Sequence, residues 1–334
     1  MEDMPMYATG NKKMLNMLVL EILQTYSDEE HRLTQQQIIA LLKKNYDMEC
    51  DRRSVKNNIL CLKELGYEIS MEDGYYLVNR QFEDAELRLL IDSVLCSKNM
   101  TTKQAASLIE KLRACGNMYF KPKVTHVHAL SQLHHSDNKQ LMYTVDVLNE
   151  AIEKRRKVSF IYNTYGTDFK LHPKREWKSL VNPYQMVTAN GFYYLIGNYE
   201  KFDNIAHFRL DKITDIDILE EKVKPENKVV GQEKGLNLPK HMAEHIYMYS
   251  GNSVTAKLDV PVKLMNELID WFGKDFTIIS KNEERMVIRI SCNEDALLYW
   301  ALQYGIYVEV LEPLELRERI LQVIKDMEKR YARN

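Results

Sequence analysis

The sequence predicts an α+β multidomain protein, with helices first and mostly short strands after them. Three observations carry this. Residues 1–80 read helix–helix–helix–hairpin, the order of a winged helix-turn-helix. Near the middle, Asn190-Gly191 separates two β-rich runs, a two-residue hairpin signal because a type I′ turn needs φ > 0 at both central positions. After residue 250 the runs alternate strand–helix–strand–strand–helix–strand, a ferredoxin-like order. The 334-residue length suits roughly two to three domains.

Bulk composition narrows the class. The chain is 45% hydrophobic and 28% charged, ordinary for a soluble globular protein. It holds no apolar run of ~18 residues, so no membrane span is expected. The opening Met1-Glu-Asp-Met-Pro-Met6 is acidic and lacks a signal-peptide core. Five scattered cysteines without CxxC spacing predict reduced thiols in a cytoplasmic protein. A net charge of −2 does not announce nucleic acid, so local charge decides.

Residues 1–80 form the first predicted domain. One helix runs from Lys12 to Tyr26, with Leu15, Leu18, Val19, Ile22 and Leu23 on a stripe. Thr34, three residues before Gln37, makes a capping-box spacing for a second, Gln35 to Lys44. Asp51 caps a third, Arg52 to Leu65, which Gly66 stops. Strands Tyr67–Met71 and Tyr75–Val78 follow around Glu72-Asp-Gly74. Arg52, Arg53, Ser54, Lys56 and Asn57 occupy the first turns of the third helix, and the basic residues lie opposite its apolar stripe. A recognition helix needs this, because its first turns enter the major groove, where Arg bridges guanine acceptors and Asn pairs with adenine. The run Asp51-Arg-Arg-Ser-Val-Lys-Asn-Asn-Ile59 resembles the recognition helix of bacterial DeoR-type winged regulators, and Asp73-Gly-Tyr-Tyr-Leu77 their wing tip, which adds Tyr75 to the DNA-binding set. The segment carries ten Lys/Arg against thirteen Asp/Glu, so the expected affinity comes from one face and not from net charge. The plainer alternative is a solvated basic face on a partner-binding helical domain.

Residues 81–139 read as a helical connector, with helices over Phe82–Ser97 and Lys103–Cys115. His126, His128, His134 and His135 fall within ten residues, but carboxylate and cysteine partners are missing nearby. No metal site is expected there.

Residues 140–222 form the third domain. A helix over Leu141–Lys154 precedes strands at Lys157–Tyr162 and Asp168–Leu171, then the Asn190-Gly191 hairpin. Phe192, Tyr194 and Ile196 share one face of the strand after the turn. In the next run Phe208 and Leu210 point one way, and His207, Arg209 and Asp211 the other. From Lys154 to Lys178 there are eight Lys/Arg against two acids, interleaved with tyrosines. Such a surface suits a nucleotide or single-stranded nucleic acid, whose bases stack and phosphates pair.

The string Val181-Asn-Pro-Tyr184, Asn190-Gly-Phe-Tyr-Tyr-Leu-Ile-Gly197, His207-Phe-Arg-Leu-Asp-Lys-Ile213 resembles the WYL domain, named for a Trp-Tyr-Leu triplet. That resemblance implies an Sm-like β-barrel acting as a ligand sensor in bacterial transcription regulators. It implies effector contacts at Lys178, Tyr184, Tyr193, Tyr194, His207, Arg209 and Lys212. The triplet here is Tyr193-Tyr194-Leu195, Lys212 replaces an arginine, and Ala206 stands where another arginine is common. One cationic contact is thus missing, and one is a point charge in place of a fork.

Residues 223–334 form the last domain, resembling the extension that commonly follows WYL domains. Pro225 to Leu238 reads as a linker. His241 and His245 are four apart but lack the glutamate of a zinc-protease motif. The final helix, Glu315–Tyr331, carries Leu316, Ile320, Val323, Ile324 and Met327, a stripe for a dimer partner or its own sheet. No nucleophile–base pair, phosphate loop or metal spacing appears, so the expectation is a non-enzyme without cofactor or metal. It is a homodimeric regulator binding a double-stranded DNA operator and responding to a nucleotide or single-stranded nucleic-acid effector. The alternative is an RNA-binding accessory of a phage-defence (CRISPR-type) system.

Overall fold

The computed structural model describes residues 12–120, 138–232 and 234–332. The chain divides into two compact units, Met1–Ser97 with Thr101–His135, and Lys98–Met100 with Ser136–Asn334. His126, His128, His134 and His135 lie outside the described residues.

In the first unit α1 (Leu15–Tyr26), α2 (Gln35–Tyr46) and α3 (Arg52–Glu64) enclose a core of Val19, Ile22, Leu23, Ile38, Leu42, Val55 and Ile59. The caps act as the sequence anticipates. Thr34 and Gln37 close a reciprocal box, and Asp51 accepts from the Ser54 amide at 2.7 Å. The chain leaves α3 through Gly66 at φ +98°. The strands of the hairpin, β1 (Ile69–Ser70) and β2 (Tyr76–Leu77), are shorter than expected. Ile69 and Leu77 are buried in the helical core, Met71 and Tyr75 pack against it, and Tyr75 also bridges to Leu33. Helices α4 (Asp84–Cys96) and α5 (Thr102–Ala114) share their own cluster around Leu87, Ile91 and Phe120. They are tied to the three-helix core by polar contacts. The Arg80 guanidinium donates to the Gln24 carbonyl at 2.8 Å and to that of Ser27, satisfying the end of α1. Asn117 donates to Asp28 at 2.9 Å, and Tyr119 stacks on His31.

The second unit opens with α6 (Leu141–Glu153) and β3 (Arg156–Tyr165), β4 (Leu171–Pro173), β5 (Ser179–Ala189), β6 (Phe192–Tyr199), β7 (Ala206–Arg209) and β8 (Ile213–Lys222). All pairings are antiparallel, in the path β4-β3-β5-β6-β7, with β8 also on β3. Register shifts in the β3–β8 and β5–β6 ladders curl the sheet. A 3₁₀ turn, Leu210–Lys212, joins β7 to β8 without a ladder between them. Strand β4 lies later than the expected Asp168–Leu171. Asp168 instead makes a tight turn, accepting from the Lys170 amide at 3.1 Å and pairing with His172, with Phe169 left-handed.

The remainder is α7 (Leu238–Glu244), β9 (Ser253–Pro261), α8 (Met265–Phe272), β10 (Phe276–Lys281), β11 (Arg285–Asn293), α9 (Glu294–Gln303), β12 (Glu309–Glu312) and α10 (Leu314–Tyr331). The sheet order is β10-β11-β9-β12, the layout of a split β-α-β pair. Its core centres on Trp300, fully buried against Phe272. Helix α10 buries only Leu316 and leaves Leu321, Ile324 and Met327 exposed. Among the described residues no helix is long and apolar enough to cross a membrane.

Candidate functional site

Helix α3 separates two chemistries by its 3.6-residue period. Val55, Ile59 and Leu62 are buried, while Arg52, Arg53, Lys56 and Asn57 are exposed on the first two turns. Ser54 is half-buried and its amide serves the Asp51 cap. Tyr75 is partly committed, because its hydroxyl accepts from Gln35 at 2.9 Å.

The sheet gathers part of the expected effector set. Asn190 and Gly191 sit at φ +52° and +78°, so the hairpin has the expected turn and pairs Ala189 with Phe192. Tyr194 then lies opposite Arg209, and Ile196 opposite His207, on one face. Arg209 is held on two sides. Its guanidinium lies 3.5 Å from the centroid of the Phe192 ring and makes two parallel bonds to Asp211, at 3.0 and 2.7 Å. Asp211 itself is 1% exposed. Lys212 lies near Arg209, and burial followed by the Arg209 and Lys174 charges lowers its pKa. Arg209, Lys212 and Lys174 thus form one basic group, with Tyr194 opposite Arg209 on the neighbouring strand. Tyr162 stands in its floor, with a hydroxyl that accepts from the Arg209 amide and is pushed up to about 12 by burial.

The other expected residues go elsewhere. Tyr184 is a core residue that donates to the Lys224 carbonyl at 2.9 Å and lines a cavity of about 570 Å³ with Arg155, Lys224 and Lys234. Lys178 is clamped by Asp215 and Asp217 at 2.9 and 2.6 Å. Tyr193 is exposed, and its amide is held by Asn99 at 2.6 Å, a partner the sequence did not suggest. The basic segment is likewise divided. Lys154, Lys157 and Arg156 pair with Glu150, Glu200 and the Glu220 carbonyl. Lys170, Lys174 and Arg175 remain on the β3–β4 hairpin and its exit, beside exposed Phe169 and Trp177.

His207 joins a different group. Its Nε2 lies 2.7 Å from that of His241, whose ring stacks on His245 at 4.0 Å. Burial first, then the neighbouring imidazoles, hold His207 down at about 2 and His241 at about 4, so the rings are neutral. The spacing of His241 and His245 was visible in the sequence. Their third partner, on β7, was not.

The WYL domain model matches residues 143–218, the curled sheet and α6. The WCX domain model matches residues 254–327, the four-stranded sheet and its helices. The chain carries a WYL domain followed by a WCX domain. It is 25% identical over 199 residues to the uncharacterized HTH-type transcriptional regulator YobV of Bacillus subtilis (strain 168), covering 59% of this chain. The match spans 58% of that relative's length. Among solved structures it is similar to the proteasome accessory factor B/C (PafBC) of Arthrobacter aurescens, at 12% identity and TM-score 0.31 over 97% of this chain and 49% of that one. It is also similar to a CRISPR Cas-related protein, at 14% identity and TM-score 0.39 over 100% of this chain and 88% of that one.

Proposed function

We propose that the protein is a DNA-binding transcriptional regulator whose WYL domain senses a nucleotide or short single-stranded nucleic acid. The observation that carries this is α3, where Arg52, Arg53, Lys56 and Asn57 are exposed while the opposite face is locked into the core. The first three helices and the β1–β2 hairpin then act as a winged helix-turn-helix, with α3 in the major groove and the Tyr75 turn as the wing. The relative named as an HTH-type transcriptional regulator supports the same reading. An anionic effector is received by Arg209, Lys212 and Lys174, with the β3–β4 hairpin cations and Phe169 and Trp177 extending the surface. The curled WYL sheet functions as an Sm-like barrel. The protein works as a homodimer, through the apolar face that α10 leaves exposed, so that effector binding sets the spacing of two recognition helices.

The test starts by selecting a duplex operator from random DNA with the wild-type protein, then measuring affinity by fluorescence anisotropy. Each lost base or phosphate contact costs about 1–3 kcal/mol, so the Arg53→Ala/Lys56→Ala double variant should bind about 30-fold or more weakly. Unchanged affinity, or failure to select any duplex, refutes the reader. Parallel arms with single-stranded RNA and DNA test the alternative, since RNA binding without duplex binding would make the protein an RNA-binding accessory of a phage-defence system.

A further inference from the structure

The three-histidine group belongs to the second unit, and the effector surface proposed above does not use it. His207 comes from β7, while His241 lies in α7 and His245 follows directly after it. One ring nitrogen from each of the three lies within 4.8 Å of the other two. A tetrahedral ion with bonds of about 2.0–2.1 Å to imidazole holds its ligand nitrogens roughly 3.3 Å apart. The pair now at 2.7 Å would open, and the widest pair would close, by rotamer-scale movements.

The protonation pattern suits a cation. His245 Nδ1 donates to the His241 carbonyl at 2.9 Å. That bond fixes its tautomer and leaves Nε2 with a lone pair, the second-sphere arrangement common to metal-binding histidines. His207 Nδ1 is buried without a hydrogen-bond partner. Either neutral tautomer of His207 therefore leaves one ring nitrogen unsatisfied, and no second bond prevents the ring from turning. His241 and His245 are buried, and His207 alone is partly exposed, giving an ion an entrance and a place for a water ligand. The plain alternative is a packed histidine stack joined by one N–H···N bond.

We propose that His207, His241 and His245 bind a divalent late-transition-metal ion, Zn²⁺ or its analogue Co²⁺, with the fourth position left to water. Neutral imidazoles suit such ions, whereas Mg²⁺ and Ca²⁺ demand oxygen ligands. The ion would join β7 to the segment that leads into the WCX domain.

The full chain is stripped with EDTA, dialysed, and titrated with Co²⁺ while the visible ligand-field bands are recorded. One equivalent bound with tetrahedral bands is expected, with Zn²⁺ displacing Co²⁺. At a hundredfold excess of Zn²⁺ over its Kd, the unfolding midpoint of the second unit should rise by roughly 5–10 °C. His207→Asn and His241→Asn should each abolish the bands, and melting without metal establishes that each variant folds. Because His207 is the most accessible member, its variant keeps the test decisive if His241→Asn does not fold. A chain with His126, His128, His134 and His135 all replaced by Asn should retain the equivalent. No binding to wild type, binding that survives His207→Asn, or loss of binding in the fourfold Asn variant overturns the proposal.

Discussion

Replacing Asp211 by alanine separates a structural arginine from a ligand-binding one. The Asp211 carboxylate is 1% exposed and takes two bonds from Arg209, whose side chain is 25% exposed. Breaking a fully buried pair by deleting one partner costs about 3–5 kcal/mol, mostly from the stranded charge. Water reaches part of the Arg209 side chain and the Phe192 face still stabilises it, so the expected cost is lower, about 2–3 kcal/mol. In a unit of this size, each kcal/mol lowers the midpoint by about 2–4 °C, so the midpoint of the second unit should fall by roughly 4–12 °C. Asp211→Asn keeps an acceptor and should lose about half as much. Differential scanning calorimetry of the full chain reads both. A second arm adds inorganic phosphate or a short single-stranded oligonucleotide. With Asp211 gone, Arg209 is open to an anion, so the variant should regain more stability from the ligand than the wild type gains. A loss under about 0.5 kcal/mol would refute the clamp. A normal loss without anion rescue would leave Arg209 as a packing residue and remove it from the effector site.

One further substitution and two measurements on the native protein probe other parts of the chain. Gly74 sits at φ +121°, and a Cβ there would lie 2.8 Å from Arg32 Cβ, so Gly74→Ala should destabilise the first unit by about 1–3 kcal/mol and displace the hairpin from Leu33, read by urea unfolding. Burial pushes the Cys292 thiol up to about 12, so native protein should resist thiol reagents at that site, while exposed Cys61, Cys96 and Cys115 react, as peptide mapping after alkylation would show. The same burial has a sign in stability. Cys292 contributes fully below its unfolded value of 9.0, and the contribution is lost as pH rises from there toward about 12. Tyr162, raised from 10.0 to about 12, acts in the same direction, so urea midpoints should fall in alkali. Unchanged midpoints would mean that neither group is desolvated.

The parts of this architecture that were legible are those set by neighbours in sequence. The Asn190-Gly191 turn, the Thr34–Gln37 box and the Asp51 cap each involve groups no more than three residues apart, and each forms. The apolar stripe of α3 is a property of one helix, so Val55, Ile59 and Leu62 were readable as core. Strand β4 was misplaced because Asp168 competes with the ladder for the Lys170 amide, a side-chain bond that strand propensity does not see. Asp211 was placed on the Arg209 face by alternation. Its two-bond grip, however, needs the chain to leave β7 and enter the 3₁₀ turn at Leu210, a tertiary feature. The histidine group depends on contact between residues 34 apart, which no local pattern carries.

Charge shows the same limit and sharpens the functional reading. The window Lys154–Lys178 is strongly basic when counted along the chain. In space, acids from α6, the turn after β6, and β8 reach into it: Glu150 meets Lys154, Glu200 meets Lys157, and Asp215 and Asp217 meet Lys178. Those cations hold the sheet together. The hairpin cations Lys170, Lys174 and Arg175 make no side-chain ion pair among the described residues, and Lys174 lies close enough to Lys212 to lower its pKa. Screening weakens exposed charges beyond a Debye length of ~8 Å at physiological salt, so a polyanion gains most where such charges adjoin a desolvated one. Lys212 is that desolvated charge, beside Arg209 and Lys174. An effector that touched only the clamped lysines would have to break their ion pairs first. One that enters at Lys174 and Lys212 meets cations that make no side-chain ion pair among the described residues, which is why we propose this end of the sheet as the effector face.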